Sequence, residues 1–546
     1  MPDETTRHGE PTRHTSGRQP APSPPTSSAP DISELTIYEK SRPGRGAYSL
    51  PAAGVPEASL DELLPGVRLR RRPARLAEIA EVDLVRHFTD LSARDYGVDK
   101  GPYPLGSCTM KYNPKMNERA AALEGLRGLH PYQPESLTQG ALELMDTLGR
   151  WLAEIAGLNR TTLQPAAGAH GELAGLLLVR AYHEDRGADP HKVLIPDTAH
   201  GTNPASVVMA GYDPVTLPSN ERGNIDVEAV RGFAREHEGD IACLMLTNPN
   251  TLGLFEEDIV EVARLVHWAG GLLYYDGANS NAVLGHSRPG DMGFDIVHFN
   301  THKTFSTPHG GGGPGAGPIV VRDVLEPYLP VPVLRREDEG SASAGHVASG
   351  AGVAVDGRPC FTLDYDRPKS IGKMRSFYGN FGVLVRAYAY IRALGAEGLR
   401  EVSDAAVLNA TYVMAGIRDL FEVPYRRPVM HEFVVSGEPL KEHGVRVLDV
   451  AKRLLDYGVH PPTTYFPLIV KEALMVEPTE TESRQDLDRF VAAVRAVVDA
   501  ARTDPELLRT APHTMPVGRL DEVAAARNPV VRQRFPDDEP AAAPAT

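Results

Sequence analysis

The chain has 546 residues, 41% of them hydrophobic and 24% charged, with a formal net charge of −15 at pH 7. This length has room for two or three domains around a large buried core. The acidic balance and the 6% aromatic share argue against a general binder of nucleic acid or membrane surfaces, which needs a basic face.

The first ten residues, MPDETTRHGE, lack the apolar core of a signal peptide, and no run of about 18 apolar residues occurs anywhere. Three cysteines, Cys108, Cys243 and Cys360, are too few for a disulfide framework, and none are spaced C-x-x-C. The chain therefore reads as soluble, unexported and cytoplasmic, with neither a membrane nor a nucleic-acid partner. Residues 1–32 are rich in Pro, Ser, Thr and Ala and are expected to form a disordered tail. Residues 33–125 are read as an N-terminal segment that packs on the large domain or on a partner. Its one densely basic run, VRLRRRPARL (67–76), suits a solvated segment or subunit contact better than a phosphate site.

Residues 126–375 are read as a large α/β domain, because short apolar runs alternate there with amphipathic helical patterns. The first helix of interest follows PAAGAH: Gly168, Ala169 and His170 stand at its start, Gly171 permits close backbone approach, and Leu173, Leu176, Leu177 and Ala181 carry its apolar spacing. Strands are expected at KVLIP (192–196), IACLMLT (241–247), GLLYYD (271–276) and DIVHFN (295–300). In such sheets ligands gather beyond the carboxyl ends of the strands, and His200, Asn248, Asp276 and Lys303 all stand there. Taken singly, each has an ordinary reading as a capping, solvated or hydrogen-bonded residue. Taken together they suit pyridoxal phosphate, which needs a lysine amine for its aldehyde, a carboxylate for its pyridine nitrogen and an anion cradle for its phosphate. Lys303 and Asp276 fill the first two roles, Ala278 is small enough to lie against a flat ring, and the helix start at Gly168 offers unpaired N–H groups to the phosphate.

Four glycines, Gly310 to Gly313, follow the lysine. A Walker-type phosphate loop would need a lysine in GGGGPGAGPIVV, and an HGGG oxyanion loop would need a G-x-S-x-G elbow elsewhere; neither is present. The run is better read as backbone that packs closely or moves beside the ring, with a structural turn as the alternative. The last residues, RFPDDEPAAAPAT, repeat the composition of the first, and 511–546 are read as a C-terminal tail.

From about Leu35 to Phe490 the chain resembles subunit 2, the catalytic half, of the two-subunit bacterial glycine decarboxylase, the P-protein of the glycine cleavage system. The resemblance rests on EKSRPGRGAYSLP, YGVDKGPYPLGSCTMKYNPKMNE, QPAAGAHGELAG, DTAHGTNPASVVMAGY, LTNPNTLGLFE, YYDGAN, NTHKTFSTPHGGGGPGAGP, RSFYGNFGVLVRAYAYI and VMHEFVVS, and on HPPTTYFPLIV with EPTETES. It implies a fold-type-I pyridoxal-phosphate enzyme, with a smaller C-terminal α+β domain over 376–510. It also implies that Lys303 holds the cofactor aldehyde, Asp276 pairs with the pyridine nitrogen, His200 stacks on the ring and Asn248 approaches the phenolic oxygen. His170, His302 and His309 are unranked acid/base or phosphate-side candidates.

The implied reaction is decarboxylation of glycine with transfer of the aminomethyl group to the lipoyl group of H-protein, Lys303 shuttling protons. The implied partner is a homologous subunit 1 without the lysine, two copies of each chain forming a heterotetramer. The block PLGSCTMKYNPK (104–115), with Cys108 and Lys111, belongs near the active-site mouth or interface on this reading; structural packing explains it equally well. Arg375 and His431 are further carboxylate contacts to consider, though structural roles fit them better. The alternatives are another enzyme of the same fold, an aminotransferase or C–S lyase, and a non-catalytic scaffold, for which Lys303 and Asp276 together would have no use.

Overall fold

A computed structural model describes residues 35–68, 70, 74–310, 314–337, 359–533 and 535. The expected tail over 1–32, Gly311 to Gly313, part of the basic run and most of RFPDDEPAAAPAT lie outside the described residues. By contact the chain falls into two units that divide between Tyr96 and Gly97. In the first, the helix Glu81–Arg94 buries His87 and leaves Val82, Val85, Phe88 and Leu91 exposed. The chain preceding it is tied down by Arg42 N–H to the Glu78 carbonyl at 2.9 Å and Glu78 N–H to Ser41 Oγ at 2.8 Å.

The second unit is built on a seven-stranded sheet. Its strands are β1 Arg160–Thr162, β2 Lys192–Pro196, β3 Asp213–Leu217, β4 Ile241–Thr247, β5 Leu272–Gly277, β6 Ile296–Phe299 and β7 Ile319–Val321, in the order β1-β7-β6-β5-β4-β2-β3. Only β7 runs against the others, pairing antiparallel with both β1 and β6. Every residue of β4, β5 and β6 is buried, which explains their unbroken apolar runs: helices cover both faces of a mostly parallel sheet.

Successive side chains alternate between the two faces. Leu244, Leu246, Leu273, Tyr275 and Val297 join the core under the helices Gln139–Ala156, Val227–Glu236 and Ile259–Trp268. Cys243, Met245, Leu272, Tyr274 and Ile296 join the core under Gly168–Glu184 and Thr202–Met209. The same alternation carries Asp276 and His298 onto this second face, where they are register partners on neighbouring strands.

The helix Gly168–Glu184 stands where its apolar spacing predicts, but its sheet side differs. Gly171, Ala174, Gly175 and Leu178 are buried while Leu173, Leu177 and Ala181 are only half-buried. Small residues are required because the Tyr274 ring lies against the helix: a Cβ on Gly175 would come 2.2 Å from its Cε2.

A hairpin, β8 Val333–Glu337 with β9 Cys360–Asp364, flanks the sheet elements in sequence. Beyond it the long helix Phe381–Ile417, broken at Gly395 (φ 64°), leads into a three-stranded antiparallel sheet of β10 Phe433–Ser436, β12 Ala473–Val476 and β11 Thr463–Thr464. The helices Val447–Leu455 and Arg484–Thr503 close this smaller α+β core with Val434, Leu474, Val450 and Val497. Leu105 bridges to Val476, which brings the 104–115 block onto this smaller layer.

Candidate active site

The parallel strands β4, β5 and β6 end at one edge of the sheet, and the polar residues singled out from sequence collect there. Asp276, 3% exposed, is the fifth residue of β5. Its Oδ2 accepts a hydrogen bond from Asn203 Nδ2 at 3.0 Å and its Oδ1 accepts one from Ala278 N–H, also at 3.0 Å. His298 Nε2 lies 3.2 Å from Oδ1. Burial opposes ionisation of Asp276, but His298, the two hydrogen bonds and Lys303 outweigh it and hold the carboxyl below its ordinary range.

Lys303 follows β6 by four residues. Its Nζ donates to the carbonyl of Ser107 at 2.8 Å, so the 104–115 block forms one wall of the site. Ser107 and Thr109 both adopt left-handed backbone, with φ of 65° and 41°, a region that few residues other than glycine enter. Two buried glutamates hold them there. Ser107 N–H donates to Glu432 Oε2 at 2.8 Å, Thr109 N–H donates to Glu477 Oε2 at 3.0 Å, and the Thr109 hydroxyl also bonds to Glu477. Burial, reinforced by the charge of Glu477, pushes the Glu432 carboxyl well above its usual range. His431 is fully buried beside the pair, its Nε2 3.8 Å from Glu477 and 4.0 Å from Glu432. Cys108, between the two left-handed residues, has its thiol pushed up by burial, with Lys303 acting in the opposite direction.

Lys111 is fully engaged below this wall. Its Nζ donates to Glu480 Oε1 at 2.7 Å, the Thr304 carbonyl at 2.8 Å, Asn281 Oδ1 at 2.9 Å and the Tyr390 hydroxyl at 3.2 Å. Four partners leave no donor for a substrate, so the structure favours the packing reading of this lysine over a role at the mouth.

The helix start at Gly168 has no side-chain cap. A Cβ on Gly168 would lie 2.0 Å from Asn300 Oδ1, and one on Gly317 would lie 2.1 Å from the Ala167 carbonyl oxygen. An uncapped start of this kind presents free N–H groups and the positive end of the helix dipole to an anion. His170 Nδ1 accepts from Ala166 N–H at 3.1 Å, and Arg375 lies close enough to depress its imidazole further after burial.

His200 stands two residues before Thr202. His200 Nδ1 lies 3.0 Å from the Thr202 hydroxyl and 3.3 Å from the Thr202 N–H, and that hydroxyl donates to Glu172 at 2.8 Å. Part of the ring is open to solvent, yet the surrounding walls desolvate it, and with the charge of Lys303 they hold the imidazole below its ordinary value. Asn248 uses Oδ1 to accept from Glu256 N–H at 3.0 Å, while its Nδ2 is buried with no partner among the described residues. His302 and His309 stand edge to face, ring centroids 5.2 Å apart, each with a buried Nδ1 that has no partner among the described residues. Burial, and then Lys303, pulls His302 down to about 3.

Residues 402–513 match the family described as "Glycine dehydrogenase, C-terminal domain". A protein of Caldanaerobacter subterraneus subsp. tengcongensis named "Probable glycine dehydrogenase (decarboxylating) subunit 2" is 56% identical over 497 residues, covering 91% of this chain and 98% of its own. A protein of Bacillus velezensis with the same name is 54% identical over 500 residues, covering 91% and 97%. The chain belongs to the glycine dehydrogenase (decarboxylating) subunit 2 family. Among solved structures it resembles a glycine decarboxylase (P-protein) of the glycine cleavage system in inhibitor-bound form, with TM-score 0.66 and 23% identity over 81% of this chain and 95% of that one. A cysteine desulfurase from Thermococcus onnurineus gives TM-score 0.53 and 14% identity over 74% and 96%. At these identities the likeness speaks for the fold, which is the fold-type-I arrangement expected from sequence.

In this subunit 2 chain, Lys303, Asp276, Ala278 and His200 surround one end of the sheet with the Gly168 helix start. Arg375 is held through Nη1 by Asn380, and its Nε is buried with no partner among the described residues. Sequence reasoning did not single out Asn203, His298, Glu172, Glu432 or Glu477. Asn203 lies in the same AHGTNPAS block as His200, and the two glutamates lie in HEF and EPTETES. The available signal for the glutamates was a charged residue directly against an apolar run, Glu432 before FVVS and Glu477 after ALMV.

Proposed function

We propose that the chain is the cofactor-bearing subunit of a glycine decarboxylase that works with a homologous subunit 1, two copies of each, and passes an aminomethyl group to the lipoyl arm of H-protein. The observation that carries this reading is the meeting of Lys303, buried Asp276 and an uncapped helix start at one sheet edge in a chain of the subunit 2 family. The residues fit pyridoxal phosphate: Asp276 retains a lone pair on Oδ2 beyond its protein donors, Asn248 Nδ2 is an orphaned donor, and glycines at 168 and 317 clear the cradle. When bound, pyridoxal phosphate supplies an aldehyde that captures the glycine amine and a protonated ring that takes up the electrons released with CO₂.

Lys303 would hold the cofactor aldehyde, and as a free amine it has the Ser107 carbonyl as an acceptor that keeps it close for proton transfer. Asp276 keeps the ring nitrogen protonated. The N–H groups of the helix start, with Ala169 and His170 on its first turn, receive the phosphate. His200, neutral, would face the ring without adding charge, and Asn248 Nδ2 would donate to the phenolic oxygen. His302 and His309 are neutral at physiological pH and supply a dry side to the lysine.

The test is exchange of labelled CO₂ into glycine by this chain co-expressed with subunit 1, with and without lipoylated H-protein. Exchange that requires both the partner and Lys303, and rises with H-protein, supports the reading. A requirement for a keto-acid acceptor, or release of a thiol from a sulfur amino acid, would replace it with an aminotransferase or C–S lyase.

A further inference from the structure

Behind Asp276, away from the lysine, lies a buried polar row that the reaction as described does not use. Tyr274, Asp276 and His298 share one face of β5 and β6, Asp276 and His298 as register partners. Tyr274 and His298 are 0% exposed. The Tyr274 hydroxyl lies 3.0 Å from the Gly171 carbonyl and 3.1 Å from His298 Nδ1, while His298 Nε2 lies 3.2 Å from Asp276 Oδ1 without being aligned for a linear hydrogen bond. Glu172 completes the surroundings. Its carboxylate accepts from the hydroxyls of Thr202 and Ser206, and one of its oxygens lies within 4.8 Å of the facing atoms of Asp276 and His298.

The protons on this row can be counted. Gly171 is only an acceptor at this point. If Tyr274 gives its proton to that carbonyl, Nδ1 must donate to the Tyr274 oxygen; if Tyr274 gives it to Nδ1, Nδ1 is an acceptor. In neither case does Nε2 present a lone pair to Asp276, because a bare nitrogen 3.2 Å from one buried carboxylate and near a second would set like partial charges together in a medium of low dielectric. Nε2 therefore carries the proton in both arrangements, and Tyr274 accommodates either state of Nδ1.

A carboxylate has about four lone-pair positions. Ala278 N–H takes one on Oδ1 and Asn203 one on Oδ2, while His298 Nε2–H stands 3.2 Å from Oδ1 and, though not aligned for a hydrogen bond, covers the second position on that oxygen, so the open position is on Oδ2. We propose that His298 is a positioning residue for the decarboxylation: held by Tyr274, it fixes the Asp276 carboxylate so that one Oδ2 lone pair alone is available to the ring nitrogen of the cofactor. This inference rests on the reading of Asp276 given above.

The test uses the full chain, stripped of cofactor and titrated with pyridoxal phosphate by absorbance, and the complex with subunit 1 for exchange kinetics. His298→Phe should weaken cofactor binding and lower kcat for exchange, each on the order of tenfold for loss of a close polar contact to a buried carboxylate, with KM for glycine nearly unchanged. His298→Gln, which keeps an N–H within reach, should recover most of both. In an Asp276→Asn background His298→Phe should add little, because its target is already altered.

If Asp276→Asn alone leaves cofactor affinity and exchange at the wild-type level, the reading of Asp276 falls and the inference with it. If Asp276→Asn is impaired while His298→Phe is not, or if the two losses multiply in full, the reading of Asp276 stands and the role of His298 is refuted. A His298→Phe protein that merely melts earlier, with unchanged affinity and kcat, refutes it equally.

Discussion

Lys303 Nζ rests 2.8 Å from the carbonyl oxygen of Ser107, a residue 196 positions earlier in the chain. The same residue is held through its N–H by Glu432, which accepts that bond at 2.8 Å. The lysine at the end of the large sheet is thus seated against a loop whose shape is set by the smaller C-terminal layer.

Lys303→Ala removes the amine that would hold the aldehyde. The purified variant should show no visible cofactor absorbance and no borohydride-trapped adduct, with a melting temperature close to wild type because the lysine makes one hydrogen bond to the fold. An adduct that persists in the variant would assign the cofactor to another lysine.

Lys111 and Glu480 form an ion pair at 2.7 Å with side chains only 1% and 8% exposed. Burial works against the charge of Lys111, but Glu480 and Tyr390 outweigh it and raise the ammonium above its ordinary value. Lys111→Met should cost about 3–5 kcal/mol in denaturant unfolding, since it strands a buried carboxylate. Lys111→Met with Glu480→Gln should cost clearly less; equal losses for the single and double variants would show that the charge is not what matters.

Gly317→Ala should injure the phosphate cradle more than the fold. The new methyl would start 2.1 Å from the Ala167 carbonyl, which is backbone and cannot swing aside. Displacing that turn moves the helix start at Gly168, and cofactor affinity should fall by about tenfold or more for the loss of one or two charge-assisted hydrogen bonds. A titration that gives wild-type affinity would separate the cradle from this turn.

His302 carries a pH signature. Its imidazole is depressed from 6.5 to about 3 by burial and by Lys303, so between those values the unfolded chain binds a proton that the folded chain refuses. Stability then falls as pH drops from 6.5 toward 3, by up to about 1.4 kcal/mol per unit from this group. His302→Gln should flatten the stability profile across that window and leave it unchanged above pH 7. Parallel profiles for the two proteins would assign the acid sensitivity to other groups.

Much of the sheet was legible. KVLIP and IACLMLT coincide with β2 and β4 to the residue, and GLLYYD and DIVHFN bracket β5 and β6 within one residue at each end, because strands buried on both faces are written as unbroken apolar runs. The strands β1 and β7 were not legible: at three residues each they are too short for any period to register. Asp276 and Lys303 could be found because Asp276 closes one such run and Lys303 stands shortly beyond another. His298 could not, since it lies inside DIVHFN and a histidine within a strand carries no sign of what it will face. Glu432 is 325 positions from the Ser107 amide it holds, and no local pattern encodes a partner at that distance.

The left-handed pair Ser107 and Thr109 has a consequence for how the protein fails. Their shape is maintained by Glu432 and Glu477, which flank β10 and β12 of the smaller sheet, and not by anything in the seven-stranded one. When heat or denaturant first loosens the smaller layer, the loop can relax into ordinary backbone and carry the Ser107 carbonyl away from Lys303, while β4, β5 and β6 remain intact. Inactivation should then run ahead of the main unfolding transition, so that residual activity serves as a gauge of how firmly the 104–115 block is clasped to the smaller layer.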